Sequence, residues 1–533
     1  MNIHSKTLPN GLRLQAVEMP GTNVVTTLIL VGAGSRYEDL SIAGISHFLE
    51  HMFFKGARKY KTPKAVAEAV DSFGGEFNAF TGKEYAGYYV KSGAENLKKS
   101  LDVLSDMMLH SRFDSAEIEK ERGVILEEMA MYLDAPMYQI SWDFERLVFG
   151  DQPLGRDQIG TKELIKSVTQ DQFKEYQREL YTPDNTVITI AGAVSEKDLD
   201  TVAEFFPFPT MKKSRSLGTF DPNLKTEKFK IRIKKTEQYH ISLGLRALAE
   251  RDPQFPALKV LTTILGGNMS ARMFQHVREQ KGLCYSIRSL VDEYTDTGLL
   301  TTRAGVKLGD VLDAVGAIRS EYDDIRNNGV TDQELLKAKN FLCGKTDLRT
   351  EDTEEIAHHY GKNTLLYSLE EDFEEWKQKI RAVQKHDVES LAQTILAPEN
   401  LRFSGIGPQI KEEKLLKLIS GHLPKTGLRQ RPVFFNIFYC FFTISAPTRG
   451  NASSVEANCS RDSRGERSGN GERKNRINLS LRGSREAISG SGNVFPGTIY
   501  SYISGFFSRR ERILGTIGAV TRGSGCSSIW EGI

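Results

Sequence analysis

His47-Phe48-Leu49-Glu50-His51 forms an H-x-x-E-H pentad near the start of a 533-residue chain. On a helix, His47 and His51 lie four residues apart and project to one side, the geometry by which two imidazoles share one metal ion. Glu50 falls on the same face, placed to take a proton from a metal-bound water. Phe48, Leu49, Met52 and Phe53 supply the apolar side that seats such a helix on a core.

The flanks read as layered α/β structure. Pro9-Asn10-Gly11 predicts a hairpin turn, and Val24–Val31 is a near-continuous apolar run, expected as a strand covered on both faces. Gly32-Ala33-Gly34-Ser35 closes that strand, and Ser41 is the candidate N-cap of the pentad helix. Thr62-Pro63 opens the next helix with a cap and an N1 proline, and Gly74-Gly75 ends it. Residues 76–90 read as a hairpin, 94–110 as a helix with Leu97, Leu101, Leu104 and Met108 on one face, and Ser115 as the cap of another helix. Residues 186–191 read as a buried strand.

After a Pro- and Lys-rich linker at 206–226 the same order begins again, with a strand at 239–245, a helix at 256–265 and a glycine turn at Gly266-Gly267. The expected architecture is α+β: two homologous α/β units in tandem, each a sheet with helices packed on it. The boundaries are 1–205 for a catalytic N-terminal unit and 227–422 for its inactive counterpart. The second unit's helix in the pentad's place has neither His nor Glu, so chemistry is expected in one half only.

From Leu423 the composition changes to 14 Arg, 2 Lys and 7 Asp+Glu, rich in Gly and Ser and without helical or strand period. Such a stretch cannot pack a core; the reading for 423–533 is an irregular tail, either a disordered extension or the product of a shifted reading frame. Leu423-Pro424-Lys425-Thr426-Gly427 spells a sortase signal, set aside because the apolar run behind it is too short. The rest of the chain holds 55 basic and 62 acidic residues, which gives no reason to expect nucleic-acid binding. Five cysteines without C-x-x-C spacing argue for reduced thiols and against a cysteine metal site. No run is long enough to cross a membrane, and the first residues lack the apolar core of a signal peptide, so a cytoplasmic protein is expected.

Two histidines do not close a catalytic zinc site; a third protein ligand is needed. Glu128 is the candidate, with Glu121 two helical turns before it on the same face, suited to orient a ligand.

With these residues in view, the sequence resembles the inverzincins, the pitrilysin, insulin-degrading and mitochondrial-processing peptidases, whose H-x-x-E-H reverses the H-E-x-x-H signature. The resemblance spans roughly residues 1–420 and implies a LuxS/processing-peptidase-like fold. It implies one Zn2+ per chain, held by His47, His51 and a glutamate: 76 residues lie between His51 and Glu128, and Glu127 is the alternate at one residue less. Glu50 would be the general base and Glu121 the auxiliary acidic residue. Gly74-Gly75-Glu76-Phe77-Asn78-Ala79-Phe80-Thr81 resembles the family's substrate-flanking strand, which assigns Asn78 and Ala79 to bound peptide. Gly266-Gly267-Asn268-Met269-Ser270-Ala271-Arg272-Met273-Phe274, with Arg278 and Tyr285 beyond it, resembles the block that grips substrate and steadies the oxyanion from the second half.

The chain has half the length of pitrilysin-type enzymes and so resembles the short, processing-peptidase-like branch. That branch implies a bacterial homodimer enclosing a chamber, in which Arg278 and Tyr285 of one chain serve the zinc of the other. The expected function is a zinc metalloendopeptidase acting on unfolded peptides or small proteins. The alternative is a catalytically silent scaffold subunit, a reading opposed by the retained His47, Glu50, His51 and spaced glutamate. The remaining histidines, including the adjacent His358 and His359, have no ligand spacing.

Overall fold

The computed structural model describes residues 1–420; the expected tail at 423–533 lies outside the described residues. Strands β1 (Asn2–Thr7), β2 (Arg13–Glu18), β3 (Val24–Val31), β4 (Glu76–Thr81), β5 (Ala86–Gly93) and β6 (Thr186–Gly192) form a mixed sheet in the order β1-β2-β6-β3-β5-β4. Strands β7 (Phe229–Ile233), β8 (Gln238–Ala247), β9 (Cys284–Glu293), β10 (Gly298–Lys307) and β11 (Arg402–Gly407) form the other, in the order β7-β11-β8-β10-β9. Without β1 the two sheets have the same plan. In each, one parallel pair (β2 with β6, β7 with β11) is followed by three antiparallel ones. The duplication expected from the sequence is therefore present strand for strand.

Period-two burial explains why β3 reads as continuously apolar. Val25, Ile29 and Val31 face a core shared with the pentad helix (Ile45–Phe53) and helices Leu97–His110 and Gln170–Leu180. Leu28 and Leu30 face the opposite way, onto Ile356, Ala357 and Tyr360 of helix Thr353–Tyr367. That covering helix comes from the second half of the chain. The reverse also holds: helix Pro136–Phe149, from the first half, packs on β8 and β11 of the second sheet. There Phe144, Leu147 and Val148 join Leu299 and Tyr294, and Asp143 pairs with Arg232 of β7. Each half thus completes the other's sheet.

Local readings hold with two corrections, the first being Ser115, which is the first residue of its helix and not its cap, a position held by Asp114. Thr62 caps its helix by accepting from the Ala65 N–H, with Pro63 at the first helical position. Ser41 does not cap the pentad helix, because its hydroxyl and backbone N–H turn back to Asp39. The helix begins after Gly44, at φ 98°, and the Glu38 carboxylate accepts from the Gly44 and Ser46 N–H groups instead. A buried carboxylate at a helix N-terminus satisfies orphan donors and opposes the helix dipole.

Candidate metal centre

The pentad helix lies against β4 and against the helix Ser115–Asp134. Phe48, Leu49, Met52 and Phe53 are buried beneath it, which leaves His47, Glu50 and His51 on the opposite face. The facing helix is anchored by Ile118, Ile125 and Met129, and this rotation brings Glu121 and Glu128 toward the histidines while Glu127 points to solvent. Glu128, rather than Glu127, therefore meets the pair.

His47 Nε2 and His51 Nε2 lie 3.7 and 3.5 Å from Glu128 Oε2. Among the described residues these three alone form a group of His, Cys, Asp or Glu able to hold a metal, with ligand atoms all within 4.8 Å of one another. His51 Nδ1 is 2.8 Å from Glu121 Oε1, and Lys55 Nζ is 2.6 Å from Glu121 Oε2. With Nδ1–H donated to Glu121, His51 presents a bare Nε2 lone pair toward Glu128.

The electrostatics agree. Burial, with His51 beside it, pushes the His47 imidazole down to about 3, so it stays neutral and free to ligate. Burial lifts the Glu128 carboxyl against the attraction of His51, and its Oε2 is buried without a hydrogen-bond partner. Burial also raises Glu50, against the Thr81 hydroxyl, which donates to Glu50 Oε2 at 2.5 Å. For His51 burial is outweighed by the Glu121 hydrogen bond and nearby carboxylates, and its pKa rises. For Glu121, burial is outweighed by bonds from His51 and Lys55, and its pKa falls. A pocket of two nitrogens and one buried, unsatisfied carboxylate oxygen fits a divalent zinc ion with a coordination position left open.

The structure brings together His47, Glu50, His51, Glu121 and Glu128. Asn78 and Ala79 lie on β4, the open edge of the first sheet, beside the pentad helix; Asn78 Oδ1 accepts from the Ala79 N–H. Arg278 and Tyr285 are not joined to this group within the chain. They stand together in the second half, the Arg278 guanidinium 5.6 Å from the Tyr285 ring and 4.3 Å from Phe274, with Tyr285 77% exposed. His358 and His359 are engaged elsewhere, with Tyr85 and the Glu371 carbonyl.

Sequence reasoning missed three side chains at the site. Tyr132 stands by the Glu128 carboxyl and favours its charged form against burial, and Lys55 clamps Glu121; both sit four residues past the group they serve or its neighbour, a spacing open to inspection. Thr81 had no such signal, since it reaches Glu50 across the fold.

Comparisons with known proteins match both halves of the chain. The family model "Insulinase (Peptidase family M16)" matches residues 14–162, and "Peptidase M16 inactive domain" matches 167–342. A Bacillus subtilis protein, "Uncharacterized zinc protease YmxG", is 37% identical over 393 residues, 74% of this chain and 95% of that one. "Uncharacterized zinc protease SCO5738" of Streptomyces coelicolor is 34% identical over 423 residues, 78% of this chain and 92% of that one. The crystal structure of a protease from Helicobacter pylori shares the fold, with a TM-score of 0.71 at 22% identity over 76% of this chain and 99% of that one. With both halves matched in order and relatives covered almost end to end, the chain belongs to peptidase family M16.

Proposed function

We propose that the protein is a zinc metalloendopeptidase that cleaves unfolded peptides or small proteins. The observation that carries this reading is the convergence of His47, His51 and Glu128 beside a buried carboxylate, Glu50, on the same helix face. Zinc held by His47, His51 and Glu128 would supply Lewis-acid activation of a water near neutral pH. Glu50 accepts the proton released as the water attacks a peptide carbonyl and returns it to the leaving amine. Burial raises its pKa toward that task, and the Thr81 hydroxyl fixes its orientation. Glu121 fixes the His51 ring through Nδ1.

An extended substrate would pair with the free edge of β4, where Asn78 and Ala79 contact it. The half-buried Arg278 and the exposed Tyr285, which do not join this group within one chain, would reach the site of a second protomer in a homodimer, where the Tyr285 hydroxyl donates to the developing oxyanion. Unpaired Cys284 and Cys343 suit a cytoplasmic, reducing setting. Among the described residues no helix is long and apolar enough to cross a membrane.

Zinc content together with cleavage of a mixed peptide library tests the reading. The parent chain should carry one zinc and cleave; Glu50→Gln should keep the zinc and lose about 10²–10⁴-fold in kcat. A parent chain that binds no metal would favour the scaffold reading instead.

A further inference from the structure

Behind Glu50 runs a line of buried contacts that ends in the other half of the chain. Its centre is Arg36, whose side chain is 0% exposed. The five N–H donors of its guanidinium are all used: Nε and Nη2 donate to the Gly218 carbonyl at 3.1 and 2.6 Å, Nη1 to Glu84 Oε1 at 2.6 Å, and Nη1 and Nη2 to the two Asp296 oxygens at 2.9 and 2.7 Å. Gly218 belongs to the linker, Glu84 to the turn between β4 and β5, and Asp296 to the turn between β9 and β10. Three segments remote in sequence are thus joined at one cation.

The β4–β5 turn is gripped from several sides. The Arg36 N–H donates to the Lys83 carbonyl at 2.9 Å, and Gly34 presses so closely on the turn that a Cβ there would meet the Gly82 oxygen at 2.5 Å. Glu84 accepts from the Thr295 hydroxyl at 2.7 Å and from the Thr295 backbone N–H. Lys83 Nζ pairs with Glu145 at 2.7 Å, on the helix that covers the second sheet. At the near end of this same turn, Thr81 donates to Glu50.

We infer that Arg36 and Glu84 are positioning residues for the general base: they clamp the β4–β5 turn against the second half and, through Thr81, set where the Glu50 carboxylate stands. The inference rests on the peptidase reading for its kinetic consequence, although the clamp itself does not. Two carboxylates that share one buried guanidinium leave little freedom to shift, and breaking the Glu84 pairing strands a buried charge. The second unit, which has no ligands of its own, then contributes to catalysis within the chain by holding the base still.

The test compares Glu84→Gln, Thr81→Val and the double variant in the full-length zinc-loaded protein, with Thr81→Ser as the conservative control. Glu84→Gln should lower kcat about tenfold with KM within about twofold and zinc content unchanged, as expected for a lost charge-assisted hydrogen bond. The double variant should be no slower than Thr81→Val by more than about twofold, because both changes cut one line of contacts. Thr81→Ser should keep near-parent kcat. A Glu84→Gln enzyme as fast as the parent, or losses that multiply independently, would overturn the inference. If Glu84→Gln does not fold, Thr295→Val and the partly exposed Asp296→Asn carry the same comparison. Hydrogen–deuterium exchange at residues 81–86 gives a readout free of activity: it should quicken in Thr295→Val. Unchanged exchange there refutes the clamp, whereas a parent chain inert toward peptides refutes the peptidase reading and leaves the exchange result standing.

Discussion

The pentad helix and its counterpart in the second unit, Phe255–Thr262, follow equivalent strands, β3 and β8, in sheets of equal plan. The first presents His47, Glu50 and His51 above a buried apolar side. The second reads Phe-Pro-Ala-Leu-Lys-Val-Leu-Thr and buries Phe255, Ala257, Leu258, Val260, Leu261 and Thr262. The same frame thus supports a half-polar helix in one place and an almost wholly buried one in the other. What differs is which face is left open, and only the open one can hold a metal.

The largest effect that would break this contrast is loss of the ligands. His47→Ala should reduce bound zinc from one per chain to near zero, measured by metal analysis, and abolish cleavage. Next is the proposed service of the second unit in trans. Tyr285→Phe should cost about 10²-fold in kcat, and mixing Tyr285→Phe chains with Glu50→Gln chains should restore activity, since one mixed site pairs an intact base with an intact tyrosine. No restoration would sink the trans arrangement. Glu121→Gln should weaken zinc affinity by about 10–100-fold through the loosened His51 ring, read by competition with a chelator.

Smaller effects sharpen the mutual dependence of the halves. Ile356→Ala, in the helix from the second half that covers the first sheet, should destabilise the chain by about 2–5 kcal/mol in denaturant unfolding. The least is an acid effect confined to the second unit. Arg272 holds Glu334 at 2.6 Å; burial alone would raise that carboxyl, but bonds from Arg272 and Thr331 outweigh it and bring it from 4.5 down to about 2. A depressed carboxyl stabilises the fold above its unfolded value and loses that contribution as pH falls. The parent should therefore lose on the order of 2 kcal/mol between about pH 4.5 and 2, a slope that Glu334→Gln should flatten.

The sequence carried the local features whose cause is local. The pentad, the cap and proline at Thr62-Pro63 and the alternation in β3 are short-range patterns, and all appear in the fold. Glu128 was separable from Glu127 only once the buried Ile118, Ile125 and Met129 fixed the helix rotation. Ser41 failed as a cap because a carboxylate farther upstream, Glu38, reached the helix first. The crossing of helices between halves was not legible, since an apolar stripe states that a face is buried but not by which sheet. Arg36 was hidden for the same reason: its partners lie 48, 182 and 260 residues away.

The exchanged helices set an order of events during synthesis. When the ribosome completes β6, the first sheet has one face covered and the other bare, with Leu28 and Leu30 waiting for Ile356 and Tyr360. At ~5–20 residues per second that wait lasts roughly 10–30 s. During it the nascent first half is a sticky half-product that cannot finish alone, so chaperone demand and sensitivity to truncation should peak before the chain reaches Tyr367.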